Sequence, residues 1–425
     1  MVTVLGGVVS VVWQARAEGL GQAGGGYDPA MGVLDGYAVL DLSILVQGPQ
    51  AALTLGDMGA SVIKIELPGM GDLARVIPVS PDDPRNPYYE ACNRGKRSVT
   101  LDLRTPGGKS ALERLVAETD VLIHNFVPGT MEAWGLSYEH LSAINPRLVY
   151  ATGSTFGPIG PKSGREGADS SGQAEGGLMF ATRIDGGPPV MNGAVISDHV
   201  GCQNMVTGIL AALLHRRETG LGQRVDVSLV GGMIYAQASE ITYTLLTGRN
   251  PERIDSGHAF VPTLLHTVEA TDGWIHLLSG TGPGWPVFAK LLDRPDLADD
   301  QRFLDLILSS EARAELVGII DEVFPTKTLK EWEAVLTGAG VRYGLVRDYE
   351  TIAADESMYE NGYLRRVEHP DGDRAVIGTP IRMSATPLEP SAVAPELGQH
   401  TEEVLLEHGY TWDDITVLRE EGAFG

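Results

Sequence analysis

Residues 196–229 read ISDHVGCQNMVTGILAALLHRRETGLGQRVDVSL. Asp198 stands just before a long apolar helix, and that helix ends in a basic turn, His215-Arg216-Arg217-Glu218-Thr219-Gly220. Gly222-Gln223 then lead into a β-branched strand, Val225 to Leu229. A helix delivered into a strand in this way is one unit of an α/β fold. Read alone, an aspartate in front of an apolar helix is most often an N-cap, accepting the orphan N–H groups of the first turn. Its carboxylate is then expected to stay ionised beside the positive end of the helix dipole, with N–H donors at hand for an oxyanion.

Outward from this unit the same alternation recurs. Val39 to Leu42 reads as a short buried strand, Gly48-Pro49 as a turn and Gln50 to Met58 as a helix. Ser61 to Glu66 is the next strand, and Arg97 to Leu103 an alternating run. Thr105-Pro106 places an N-cap and an N1 proline before a helix over Gly107 to Glu118. Val121 to Asn125 and Leu148 to Ser154 are further strands, separated by a helical piece at Tyr138 to Ala143. Strands alternating with helices give right-handed crossovers and a parallel sheet. Downstream, the helical run Gly232 to Leu246 leads out of this unit. The segment from Arg249 to Tyr343 has another texture. It holds a hairpin from His266 to Leu278 turned at Asp272-Gly273, glycines 280, 282 and 284 as a candidate lid, and helices over Pro286 to Leu292 and Ala312 to Phe324. This reads as a smaller α+β domain.

A chain of 425 residues is too long for one small core. Thirty-two basic against 56 acidic side chains leave a net charge of −24, which argues against a nucleic-acid binder. An anionic small molecule is still compatible, since a few cations in one cleft reverse the local field. Two cysteines, Cys92 and Cys202, make no disulfide framework and suit a reducing, cytoplasmic compartment. The apolar start, Met1 to Ala17, lacks a preceding positive charge and is too short to span a bilayer. Residues 1–30 read as a disordered extension, and no membrane contact is expected. The turn Val46-Gln47-Gly48-Pro49-Gln50-Ala51 lacks Gly-x-Gly-x-x-Gly, so NAD is not expected even though Glu66 ends a strand where an acid can hold a ribose. The ten histidines are scattered without metal spacing, and no metal is expected.

The 196–229 stretch resembles the core signature of the class III CoA-transferase family, whose relatives include formyl-CoA and carnitine CoA-transferases. Further motifs match in order: Asn93-Arg94-Gly95-Lys96-Arg97-Ser98, Arg104, Asn125-Phe126-Val127-Pro128-Gly129, and Arg165-Glu166-Gly167-Ala168-Asp169 with Gln173-Ala174 after it. The resemblance implies that Asp198 is a nucleophile carrying acyl groups and CoA covalently between an acyl-CoA and a carboxylic acid acceptor. It implies that coenzyme A, as substrate and product, is held by Val46, Gln47, Lys96, Arg97, Leu101, Arg104, Asn125, Phe126, Arg165 and Asp169. It also implies an interlocked homodimer and a discontinuous large domain with a parallel Rossmann-like sheet, residues 31–230 and 366–425. Residues 249–345 then form the small domain, with 231–248 and 346–365 as connections.

Two departures bear on CoA. Leu67 and Ala133 stand where relatives often carry arginines, which leaves Arg104 and Arg165 for the adenine end. Another bears on the reaction. Ala168 stands where the related α-methylacyl-CoA racemases have a histidine, and a racemase needs two acid/base groups on opposite faces of the α-carbon.

Overall fold

The computed structural model describes residues 32–77, 86–183, 186–254, 256–261, 263–278, 281–305, 308–368, 372–388 and 393–425. The expected extension over residues 1–30 and Gly280 of the candidate lid lie outside the described residues.

Six strands form the main sheet: β1 (Ala38–Asp41), β2 (Ser61–Glu66), β3 (Arg97–Thr100), β4 (Val121–His124), β5 (Val149–Ser154) and β6 (Arg224–Ser228). Their spatial order is β3-β2-β1-β4-β5-β6, and each neighbouring pair is parallel. This is the doubly wound order in which direction reverses between β1 and β4, and ligands of such sheets bind outside the strand carboxyl ends at that reversal. Successive strand residues feed opposite layers. Leu40, Ile63, Val99 and Leu122 pack with Leu112 and Leu115 of helix Pro106–Val116. Val39, Val62, Val121 and Ile123 pack with Ala51 and Leu55 and with Met205 and Ile209. The helices on this second face are α1 (Gln47–Asp57) and the long Ile196–Thr219 helix.

The carboxyl-terminal residues rejoin the first layer. His400 N bonds Ser98 O at 2.9 Å, Asp102 N bonds Ala423 O at 2.7 Å, and Val404, Leu405 and Ala423 are buried in the core. Between these parts lies a second apolar core. Strands β7 (Leu265–Ala270), β8 (Gly273–Leu278) and β9 (Arg342–Val346) form an antiparallel sheet. Trp285, Phe288, Phe303, Phe324 and Trp332 are fully buried against it. No helix among the described residues is long and apolar enough to cross a membrane.

Several boundaries differ from those read in the sequence. Gly48-Pro49 lies inside the first turn of α1, where proline costs nothing because first-turn N–H groups have no intrahelical partner. The hairpin turns at Thr271-Asp272, since Ala270 pairs with Gly273. The 232–246 run is two helices, Leu229–Ala236 and Ala238–Thr247, broken at Gln237. The Gln237 amide turns to the carbonyl oxygens of Gly176 and Met233, both at 2.8 Å. Thr105 caps its helix through Gly108 N, as its sequence position implies.

Candidate active site

The loop from Leu42 to Val46 crosses the carboxyl end of β1, at the reversal point of the sheet. Its backbone is bonded from three sides. Ser43 N donates to Asp41 Oδ1 at 3.0 Å, and Ser43 O accepts from Lys64 Nζ at 2.8 Å. Ile44 exchanges two 2.8 Å bonds with the Asn125 amide, and Leu45 N donates to Asp72 Oδ1 at 2.9 Å. These bonds hold Leu45 at a φ of 66°, a conformation that costs a non-glycine residue about 1–3 kcal/mol and persists only where its surroundings over-determine it. Beneath the loop lies a buried ion network. Lys64 Nζ sits 2.9 Å from Asp72 and 3.5 Å from Asp41, and Lys96 Nζ sits 2.7 Å from Asp41. Burial alone would raise the Asp41 carboxyl, but Lys64 and Lys96 hold it down at about 2.

Beside this loop a cleft of about 230 Å³ opens at the carboxyl ends of β1 to β4, lined by Ile44, Leu67, Met70, Arg104, Phe126 and Trp134 among others. Its walls are apolar, and Phe126 meets Trp134 edge-on at 5.3 Å and stacks on His124 at 5.6 Å. Arg104 is its exposed cation, paired with Asp102 at 2.7 Å.

The strained loop delivers Gln47 into a slot between β5 and the long helix. A Cβ on Gly153 would stand 2.1 Å from Gln47 Oε1, and one on Gly201 2.5 Å from Gln47 Nε2, so a larger residue at either position would displace the Gln47 amide. Gln47 is 2% exposed, yet its Nε2 has no hydrogen-bond partner among the described residues. Leaving a buried donor unpaired costs about 1–3 kcal/mol.

Asp198 lies three residues before Gly201 and so on the same helical face. The helix begins at Ile196, which places Asp198 at its third residue, and the N-cap is Val195. The N-cap expectation is therefore corrected. The first-turn donors are occupied as well. Ile196 N bonds Ala194 O, Ser197 N and Asp198 N reach Asp169 Oδ1, and His199 N bonds Val195 O. The Asp198 carboxyl itself is half-buried and accepts no hydrogen bond from the described residues. Burial, reinforced by the Asp169 carboxylate, pushes it up to about 7. The expectation of a carboxylate held ionised by helix N–H groups is thus reversed. The neighbouring His199 Nδ1 lies 2.6 Å from Gln50 Oε1, and burial lowers its pKa.

The remaining expected site residues fall into two groups. Val46, Gln47, Leu101, Arg104, Asn125 and Phe126 converge on the loop or the cleft. The other four do not line the cleft. Lys96 is corrected from a phosphate contact to an internal ion, 4% exposed, with its donors on Asp41, Pro49 O and Asn93. Arg97 pairs outward with Glu407 at 2.6 Å. Arg165 lies over Phe156 and pairs with Glu175 at 3.0 Å. Asp169 is buried beside the start of the long helix. Glu66 is bound by Arg75 and Ser98, which leaves it no carboxylate oxygen for a ribose. Gln50, Ser197 and Trp134 were not singled out in the sequence. Glycines at 153, 172 and 201, each met by a neighbouring side-chain atom within 2.7 Å of where a Cβ would stand, were the available signal, scattered along the sequence as they are.

The sequence model of the family described as CoA-transferase family III matches residues 34–401. The chain is 32% identical over 377 residues to a Homo sapiens protein named succinyl-CoA:glutarate CoA-transferase, covering 88% of this chain and 85% of that one. It is 34% identical over 394 residues to a Haloarcula hispanica protein named succinyl-CoA:mesaconate CoA-transferase, covering 89% and 97%. A crystal structure of a CaiB/BaiF family protein from Brucella suis matches with a TM-score of 0.80 at 32% identity, over 89% of this chain and all of that one.

Proposed function

Since this chain belongs to CoA-transferase family III, we propose that it moves CoA from an acyl-CoA to the carboxylate of a second acid, with Asp198 as the covalent carrier. The observation that carries this reading is the state of Asp198. It is a carboxyl that accepts no hydrogen bond from the described residues, raised to about 7, on the face of the long helix where Gly201 meets the Gln47 amide.

A carboxylate oxygen of Asp198 attacks the thioester carbonyl carbon, and the C–S bond breaks to release CoA thiolate and leave a mixed anhydride. The thiolate attacks the aspartyl carbonyl carbon of that anhydride, expelling the donor acid and forming an aspartyl-CoA thioester. The acceptor carboxylate then attacks this thioester and displaces the thiolate. Return of the thiolate to the acceptor's acyl carbon yields the new acyl-CoA and restores Asp198. Each step builds negative charge on a carbonyl oxygen. With the first-turn N–H groups engaged, Gln47 Nε2 is the donor free to meet it.

CoA's nucleotide end is assigned to the apolar cleft, with Arg104 as its cation. The names of the similar proteins support a short dicarboxylic pair such as succinyl-CoA and glutarate or mesaconate. Exposed apolar residues on the 229–247 segment, Tyr235, Leu245 and Leu246, support an interlocked dimer that covers them. Ala168 disfavours racemisation, as it offers no second base.

Incubation with acyl-CoA alone and then hydroxylamine should convert residue 198 to a hydroxamate, read by peptide mass spectrometry. Asp198→Asn should fold, bind CoA and lose transfer by several orders of magnitude. Near-normal exchange in a folded Asn variant would refute the covalent role.

A further inference from the structure

The small domain holds a cluster that CoA exchange leaves without a task. His266 is the second residue of β7 and shares its buried face with Val268 and Ala270, against the helix Ser310–Val323. A polar side chain on such a face needs partners. His266, 9% exposed, is bonded through both ring nitrogens. Nδ1 lies 2.7 Å from Ser256 Oγ, and Nε2 lies 2.8 Å from Asp321 Oδ1. A carboxylate only accepts, so in the neutral ring the proton sits on Nε2 and Nδ1 turns its lone pair to the serine hydroxyl. A hydroxyl, a base and an acid that orients the base thus stand in one line.

Two further features single out the serine. Ser256 has a φ of 56°, a conformation unfavourable for a residue with a Cβ that persists only where the surroundings impose it. Its carbonyl oxygen is pinned by Leu265 N at 3.2 Å and by Arg313 Nη1 at 3.1 Å. Arg313 pairs with no carboxylate among the described residues, and its Nη1 would stand 2.7 Å from a Cβ on Gly257. An uncompensated guanidinium therefore lies against the backbone next to the hydroxyl. A staple for this loop would need neither a left-handed serine nor a cation left without a counter-charge.

We propose that Ser256 is a nucleophile, with His266 as its general base, Asp321 as the residue positioning the ring, and Arg313 as the charge that steadies the oxyanion. The substrate class is a small carboxylic ester, and the reaction is its hydrolysis. Ser256 Oγ attacks the ester carbonyl carbon while its proton passes to His266 Nδ1. The bond from that carbon to the alcohol oxygen breaks, and the alcohol leaves with the proton. Water then attacks the acyl-serine and gives a proton to His266 Nδ1. The acid departs as that proton returns to Ser256 Oγ. No step draws on Asp198 or on CoA, so this activity and CoA transfer stand or fall separately.

The native protein is treated with a fluorophosphonate, which loses fluoride to an activated serine hydroxyl, and the labelled peptide is read by mass spectrometry. The label is expected on Ser256, which is half-buried and within reach. Ser256→Ala should abolish it, lower hydrolysis of p-nitrophenyl acetate by about 100-fold and leave CoA exchange unchanged. His266→Gln should slow labelling by about 100-fold. The Asp321 side chain is 53% exposed, so solvent screens its effect. Asp321→Asn should lower the maximal labelling rate by about tenfold and leave the half-saturating concentration of the reagent in place. A loop that had merely come loose would raise that concentration instead, and would refute the role given to Asp321. Absence of label on Ser256 in the native protein overturns the proposal, as does a label without ester turnover or turnover that survives in Ser256→Ala. Should that variant not fold, labelling and turnover of the native protein decide.

Discussion

Replacing Asp198 by asparagine should make the protein more stable, and only at neutral to alkaline pH. The carboxyl ionises at about 7 in the fold against 3.8 as its ordinary value, with burial the main cause and Asp169 the second. Below the ordinary value it is neutral in both the folded and the unfolded chain, and costs nothing. As pH rises through that value, the unfolded chain gives up its proton while the folded one keeps it, so stability falls until the folded group ionises too. The gap of about three units is worth roughly 4 kcal/mol at 1.36 kcal/mol per unit. The positive end of the long helix returns about 1–2 kcal/mol of this, leaving about 2–3 kcal/mol at pH 8 and close to zero at pH 4. Asparagine carries no such term. Urea unfolding of both proteins across pH 4 to 8 measures the difference directly. A variant equally stable relative to the parent at both ends of that range would refute the reasoning, because the strain assigned to the carboxylate would then be absent. A functional group that destabilises its own fold is the expected form of a stability–activity trade-off.

Other outcomes follow from the same site. Gln47→Leu removes an unpaired buried donor and should leave the protein as stable or about 1 kcal/mol more so, while kcat falls about 100-fold; unfolding midpoints and steady-state rates check both. Leu45→Gly relieves a positive φ and should raise stability by about 1 kcal/mol, yet loosen the aim of Gln47 and lower kcat; equal kcat would show that the loop strain serves nothing. Micromolar CoA should raise the melting temperature and NAD should not, and stabilisation by NAD alone would reassign the cleft. With a 2-methylacyl-CoA in D₂O, NMR should show no enzyme-dependent deuterium at the α-carbon, since Ala168 supplies no base.

What the sequence disclosed was mainly what is settled locally. Thr105-Pro106 announced its helix because a cap and an N1 proline act within four residues, and Ser61 to Glu66 was bounded correctly because both of its ends are chemically marked. Asp198 reads as a cap because the carboxylate that accepts first-turn N–H groups, Asp169, lies 29 positions earlier on a separate helix. Lys96 counts among the CoA contacts through its match to the family motif, and nothing in the local sequence shows that it is buried. Its burial depends on Asp41, 55 residues away. Asn125 was picked out correctly as a residue at the strand end, but its amide is committed to the Ile44 backbone rather than free for a ligand. Short-range signals located the parts, and the long-range contacts decided which of them keep a free functional group.

The return of the chain end onto the first layer carries a consequence for biosynthesis. The backbone of Asp102 is bonded to Ala423, so the layer that carries β3 is completed by residues made some 320 positions later. At about 5–20 residues per second a ribosome takes roughly 16–64 s to supply them. Throughout that interval Leu101, Leu115 and Val116 lack the cover later given by Leu405, Leu418 and Phe424. The nascent chain therefore passes through a long-lived half-built state with an open apolar face, whose contacts are among the most distant in the molecule and the slowest to form. Chaperone dependence should be concentrated in that window. A nonsense mutation close to the carboxyl end would be as disabling as one in the middle, since it leaves the first layer permanently uncovered.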